Sequence, residues 1–168
     1  IAVTPDGARF WVVNPDSGSV SVVDTATESL LAQVPVGREP RTLSITPDGT
    51  KVYVACSGEN QVFVINAVTF AVAATISVGR EPFGVVVAPS GARAYVSNSA
   101  SDSVMSIDTA TDTVLATSTV ATAGDHPRGL AVSADSATLI VTRFLTSSPS
   151  LNGTVAFVNA ATLGLIGT

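Results

Sequence analysis

Apolar residues in this chain come in short runs, such as Leu43-Ser44-Ile45, Val62 to Ile65, Val72 to Val78 and Val85-Val86-Val87. Between them lie clusters of Gly, Pro, Asp, Asn, Ser and Thr. β-branched side chains dominate the runs, and no apolar set recurs at helical spacing. The pattern predicts an all-β chain of short strands joined by tight turns.

The runs repeat. Thr4-Pro5-Asp6-Gly7 returns as Thr46-Pro47-Asp48-Gly49, then as Ala88-Pro89-Ser90-Gly91, then in degraded form as Ser133-Ala134-Asp135-Ser136, at steps of 42, 42 and 45 residues. Seven positions into each copy stand Trp11-Val12-Val13-Asn14, Tyr53-Val54-Ala55-Cys56, Tyr95-Val96-Ser97-Asn98 and Ile140-Val141-Thr142-Arg143. A third anchor is Val20 to Asp24, echoed by Val62 to Asn66, Val104 to Asp108 and Val155 to Asn159. The fourth is Gly37-Arg38-Glu39-Pro40, identical at Gly79-Arg80-Glu81-Pro82 and loose at Gly124-Asp125-His126-Pro127. Each unit reads as four strands. In the second unit strand A ends at the Pro-Asp-Gly turn, where Pro presets the first torsion and Gly accepts positive φ. Strand B is Lys51 to Ala55, strand C is Val62 to Ile65, and strand D is Val72 to Val78. Asp24, Asn66, Asp108 and Asn159 end strand C, where a short carboxyl or amide bonds its own backbone. A repeat of about 40 to 45 residues holding four strands is the signature of a β-propeller blade. The expected units are 1–36, 37–78, 79–123 and 124–168, about four blades.

The order Gly-x-x-Pro, Pro-Asp-Gly, Tyr-Val, Val-x-x-Asp-Thr-x-Thr, with Tyr95-Val96-Ser97-Asn98 at its centre, resembles the YVTN family of β-propeller repeats. That family sits within the broader NHL and quinoprotein-dehydrogenase-like propellers. The resemblance covers the whole chain, except that the fourth unit lacks Pro-Asp-Gly and has Ile140 where the aromatic belongs. It implies a propeller that commonly closes with about seven blades, so the expected reading is a part of a larger propeller. It also implies a prokaryotic, secreted or cell-surface setting. Some longer relatives carry cytochrome domains. If the chain stands alone as an open arc, its terminal blades expose apolar faces, which predicts self-association.

Composition narrows the classes. Of 168 residues 46% are hydrophobic and 12% charged, with mean hydropathy +0.46, too apolar for disorder. No apolar run approaches the roughly 20 residues of a membrane helix. A net charge of −5 argues against nucleic acid as partner. A single lysine, Lys51, with abundant Ala, Thr and Ser fits an extracellular, periplasmic or cell-surface location. Cys56 has no cysteine partner and reads as a small apolar filler. No motif for phosphate, haem or metal binding and no nucleophile elbow is present, so no cofactor, metal or catalytic residue is assigned.

The remaining chemistry is positional. In a propeller the D-to-A and B-to-C loops share one face. Arg38, Arg41, Arg80, His126 and Arg128 fall in or beside D-to-A loops, five of nine potentially basic residues in an acidic chain. They read either as a rim that attracts an anionic ligand or acidic partner, or as ion-pair partners of Glu39, Glu81 and neighbouring carboxylates. Two loops on that face are lengthened. Leu115 to Pro127 spans twelve positions where Leu31 to Pro40 spans nine, and Arg143 to Val155 spans twelve where Asn14 to Val20 spans six. The second carries Phe144 and Leu145 beside Arg143, apolar residues suited either to docking or to folding over the blade edge. Asn152-Gly153-Thr154 matches a glycosylation sequon. Two functions are consistent with this reading: a non-catalytic scaffold whose loop face recognises a protein, glycan or small ligand, or part of a dehydrogenase, cytochrome-linked oxidoreductase or lyase whose catalytic groups lie outside these residues.

Overall fold

The computed structural model describes residues 1–118, 126–144 and 154–167. Sixteen strands form four antiparallel sheets, each a meander in chain order. The first sheet holds β1 (Ala2–Val3), β2 (Arg9–Asn14), β3 (Ser19–Asp24) and β4 (Leu30–Pro35). The second holds β5 (Pro40–Ile45), β6 (Lys51–Cys56), β7 (Gln61–Asn66) and β8 (Val72–Ser77). The third holds β9 (Pro82–Val87), β10 (Arg93–Asn98), β11 (Ser103–Asp108) and β12 (Thr113–Ser118). The fourth holds β13 (Pro127–Val132), β14 (Thr138–Arg143), β15 (Thr154–Asn159) and β16 (Leu165–Gly167). The all-β expectation holds, with two short additions in B-to-C loops, the 3-10 turns Pro15–Ser17 and Ser99–Ser101. The strand-A runs also start earlier than their apolar cores, at Pro40 and Pro82, because proline is tolerated as a strand's first residue.

The sheets pack face to face through their inner strands, β1 on β5, β5 on β9 and β9 on β13. Three hydrophobic layers result. Trp11, Val20, Val22 and Val34 meet Val52, Val54, Cys56 and Ile65. Tyr53, Val62, Val64 and Ile76 meet Val85, Ala94, Val96 and Ile107. Tyr95 and Val104 meet Leu139, Val141, Ala156 and Val158. Both faces of β6 and β10 are therefore covered, and these strands read as unbroken apolar runs. Among the described residues, no comparable packing joins the first sheet to the fourth.

Each interface carries a forward-directed polar tie. The Arg9 Nη1 donates to the Ala67 carbonyl at 3.1 Å. In the next unit Lys51 Nζ donates to the Thr109 carbonyl (2.7 Å) and to Asp112 (2.8 Å), which also accepts from the Tyr53 hydroxyl at 2.5 Å. In the third, Arg93 donates to the carbonyls of Ala160 and Ala161, and the Tyr95 hydroxyl to that of Ala160. Burial, then the bond to Asp112, pushes the Tyr53 hydroxyl far above its usual range, so it stays a neutral donor. The equivalent of Arg9, Lys51 and Arg93 in the fourth unit is Thr138.

Turn chemistry behaves as the sequence predicts. The side-chain oxygens of Asp24, Asn66, Asp108 and Asn159 each accept two backbone N–H groups of the following turn. The fourth A-to-B turn survives its lost Pro and Gly. Ser136 takes φ +60° where Gly7, Gly49 and Gly91 lie between +71° and +74°, and the Ser133 hydroxyl donates to Asp135 as Thr4 does to Asp6. Hydrogen bonds from Thr4, Thr46 and Ser133 hold Asp6, Asp48 and Asp135 below the ordinary 3.8, and the Thr27 and Thr111 amides do the same for Asp24 and Asp108. A folded carboxyl that gives up its proton more readily than the unfolded one contributes stability present above 3.8 and lost as pH falls through the lowered folded value. Carboxyl titration by NMR should therefore place these five midpoints below 3.8, with stability falling off on the acid side. Midpoints at or above 3.8 would contradict the turn geometry.

Candidate functional site

Three D-to-A loops enter the inner strands through the same bend. Glu39, Glu81 and His126 stand just before Pro40, Pro82 and Pro127 with φ of +53°, +50° and +43°. Residues other than glycine adopt this region only when the surroundings impose it. Here the Glu81 amide donates to Asn60 Oδ1 (2.9 Å) and the His126 amide to Asp102 Oδ1 (3.0 Å), both on the preceding sheet. The Glu39, Glu81 and His126 carbonyls accept from the amides of Ser57, Ser99 and Phe144. The loops of this face are thus tied both within and between sheets.

The arginines of this face differ in their engagement. Arg38 is spent on its own B-to-C loop: its Nε and backbone amide donate to Glu59 (3.2 and 2.6 Å), its Nη2 to the Gly58 carbonyl. Arg80 Nη2 likewise donates to the Ala100 carbonyl at 3.0 Å. Arg41 Nη2 pairs with Glu39 two residues earlier (2.7 Å), and its Nε donates to Ser57 Oγ. His126 Nδ1 donates to the Ser99 carbonyl at 3.0 Å. Arg143 is half-buried at the end of β14.

Arg128 is different. Its guanidinium lies over the rings of Phe83 and Phe144, 4.8 and 3.9 Å from their centroids, and its buried Nε meets no acceptor. Repeat alignment shows why. Positions 39, 81 and 126 hold Glu, Glu and His; positions 41, 83 and 128 hold Arg, Phe and Arg. Only the second sheet has a matched pair, Glu39 with Arg41. The third keeps the carboxylate but replaces its cation with Phe83, and the fourth keeps the cation but replaces its carboxylate with His126.

These residues enclose one cleft of about 370 Å³, lined by Glu39, Arg41, Ser57, Glu81, Phe83, Ser99 and Arg128. The structure brings Arg41 and Arg128 together there. Arg38 lines a separate groove with Pro15, Asp16 and Gly18. Phe144 is 57% exposed and stacks on Arg128, while Leu145, Asn152 and the added residues of both lengthened loops lie outside the described residues. Phe83 is the lining residue that a search for cations passes over; its signal is an aromatic at a position held elsewhere by arginine. Cys56 is fully buried, and burial pushes its thiol up to about 12, which fits a packing role. Among the described residues no cluster of His, Cys, Asp or Glu has metal-ligand geometry, and no helix is long and apolar enough to cross a membrane.

No family model and no curated protein matches the sequence. Solved structures do. Hydrazine synthase of Kuenenia stuttgartiensis aligns over 98% of this chain with a TM-score of 0.91 and 28% identity, and dihydro-heme d1 dehydrogenase NirN, in complex with DHE, over 99% at 0.76 and 17%. The fold is a β-propeller. A functionally unknown protein of Desulfotomaculum acetoxidans DSM 771 aligns over 99%, with a TM-score of 0.80 and 20% identity. The chain spans 46%, 35% and 54% of those three proteins respectively. Its four sheets are about four propeller blades, and the cleft lies across the second, third and fourth of them.

Proposed function

We propose that this chain is a recognition module of a YVTN-type β-propeller, acting outside the cytoplasm and binding its partner on the face that carries the D-to-A and B-to-C loops. The carrying observation is the cleft at Arg128, where three blades contribute charged, hydroxyl and aromatic side chains to one concave site. Loops on a rigid scaffold are where recognition residues concentrate. A second reading has support of its own: two of the similar structures are enzymes, which fits a propeller that holds a substrate while catalytic groups elsewhere act on it. Amide shifts followed by NMR during addition of peptides, oligosaccharides and organic acids test the choice of face. Perturbations should cluster at residues 39–41, 57, 81–84, 99–102 and 126–129. Perturbations confined to residues 46–51 and 88–93, on the opposite face, would overturn it.

A further inference from the structure

Resting on that choice of face, we infer that the cleft is a binding site for a zwitterion of amino-acid type, with the ligand carboxylate on Arg128 and its ammonium on Glu81. Phe83 and Phe144 hold the Arg128 guanidinium through their ring faces, contacts that fix a cation but satisfy none of its N–H donors. The Arg128 Nε is buried without an acceptor, at a desolvation cost, and among the described residues no hydrogen bond or ion pair engages the Nη groups, which remain as donors for a ligand in the cleft. A planar carboxylate answers a guanidinium fork with two parallel hydrogen bonds.

The second pole comes from the broken pairing. Glu39 is neutralised by Arg41 at 2.7 Å, so it neither attracts nor repels strongly. Glu81 has no such partner because its counterpart position holds Phe83, and no side-chain hydrogen bond or ion pair engages its carboxylate among the described residues. Glu39, Glu81, Arg41 and Arg128 sum to no formal charge, with one free pole of each sign. A polyanion such as phosphate gains Arg128 but must also approach Glu81. A ligand carrying both signs meets both poles. The Phe83 ring offers it an apolar flank, and about 370 Å³ accommodates a free amino acid or a dipeptide.

Calorimetric titration with L-phenylalanine, N-acetyl-L-phenylalanine, L-phenylalaninamide, L-phenylalanyl-glycine and inorganic phosphate tests the assignment. Free phenylalanine or the dipeptide should bind, and the tighter of the two names the source. Blocking either ligand pole should weaken binding by about tenfold. Arg128→Gln should abolish binding. Arg128→Lys keeps the charge and guards against a folding defect; with an unchanged melting temperature it should still weaken binding, since the fork is gone. Glu81→Gln should remove the advantage of the free amine over its N-acetyl form, and Arg38→Ala should change nothing. Phosphate binding more tightly than either zwitterion, or Arg128→Gln binding like the wild type, overturns the inference. If oligosaccharides or neutral peptides shift the amides of this face while no zwitterion does, the recognition face stands and the zwitterion assignment fails.

Discussion

Gly84→Ala should melt about 10 °C below the wild type, a loss of about 3 kcal/mol. Gly84 lies in β9 where that inner strand passes β13 of the next blade. A Cβ built there meets the Arg128 carbonyl oxygen at 2.1 Å and the Ser97 Oγ at 2.9 Å. The first neighbour is backbone, so it cannot rotate away. Ser97 is also committed, accepting from the Gly84 amide and donating to the Arg128 carbonyl at 2.7 Å. One methyl group therefore overpacks the interface and breaks a hydroxyl bridge between blades. Gly7→Ala is the useful comparison, since nothing lies within 4 Å of its Cβ and only the strain of φ +73° remains, about 1 kcal/mol. Thermal unfolding of both variants decides the point. Equal melting temperatures would show that the close approach at Gly84 is not what limits this interface.

The 168-residue polypeptide expressed by itself should self-associate through the outward faces of its first and fourth blades. Repeat alignment identifies those faces. Ile140 pairs with Phe157 across β14 and β15 as Tyr53 pairs with Val64 across β6 and β7. Val64 is fully buried by the next blade, whereas Phe157 is 42% exposed. On the other side Phe10, Val12 and Val23 are half-buried where Val52, Val54 and Ile65 are fully covered. Surfaces with the composition of a blade interface but no blade upon them are driven together by the hydrophobic effect. Sedimentation velocity should show association that increases with concentration, and Val155→Lys with Phe157→Lys should reduce it sharply. A compact monomer at every concentration would refute this.

The blades were legible because their signals are local. Turn-forming Asp and Asn, the Pro-Asp-Gly torsions and the recurrence of Trp11, Tyr53 and Tyr95 each act within a few residues or repeat in register. The fourth A-to-B turn was less readable: Ser136 adopts a torsion its residue type does not announce, held by hydrogen bonds around Ser133 and Asp135. At the rim, the partners of Arg38 and Arg80 lie about 20 residues away in B-to-C loops, so local spacing could not name them. The isolation of Arg128 was encoded two residues upstream, where His126 replaces glutamate. What spacing could not supply was the approach of Phe83 from the neighbouring blade, which only the packed fold brings beneath the guanidinium.

The long cationic ties between blades all point the same way along the array. On one face Arg9 secures a turn of the second blade, Lys51 one of the third and Arg93 one of the fourth, while on the other face the Glu81 and His126 amides reach back to the blade before. Duplication of the second unit, inserted before the third, would keep part of this grammar: the newcomer offers the Ala67 carbonyl where Thr109 now accepts from Lys51, but sets Phe70 where Asp112 receives Lys51 and the Tyr53 hydroxyl. The fourth unit has Thr138 at the matching position, a side chain without the reach of arginine or lysine, so copying this unit does not carry the tie with it. The tie thus travels with a copy of any of the first three units and not with a copy of the fourth.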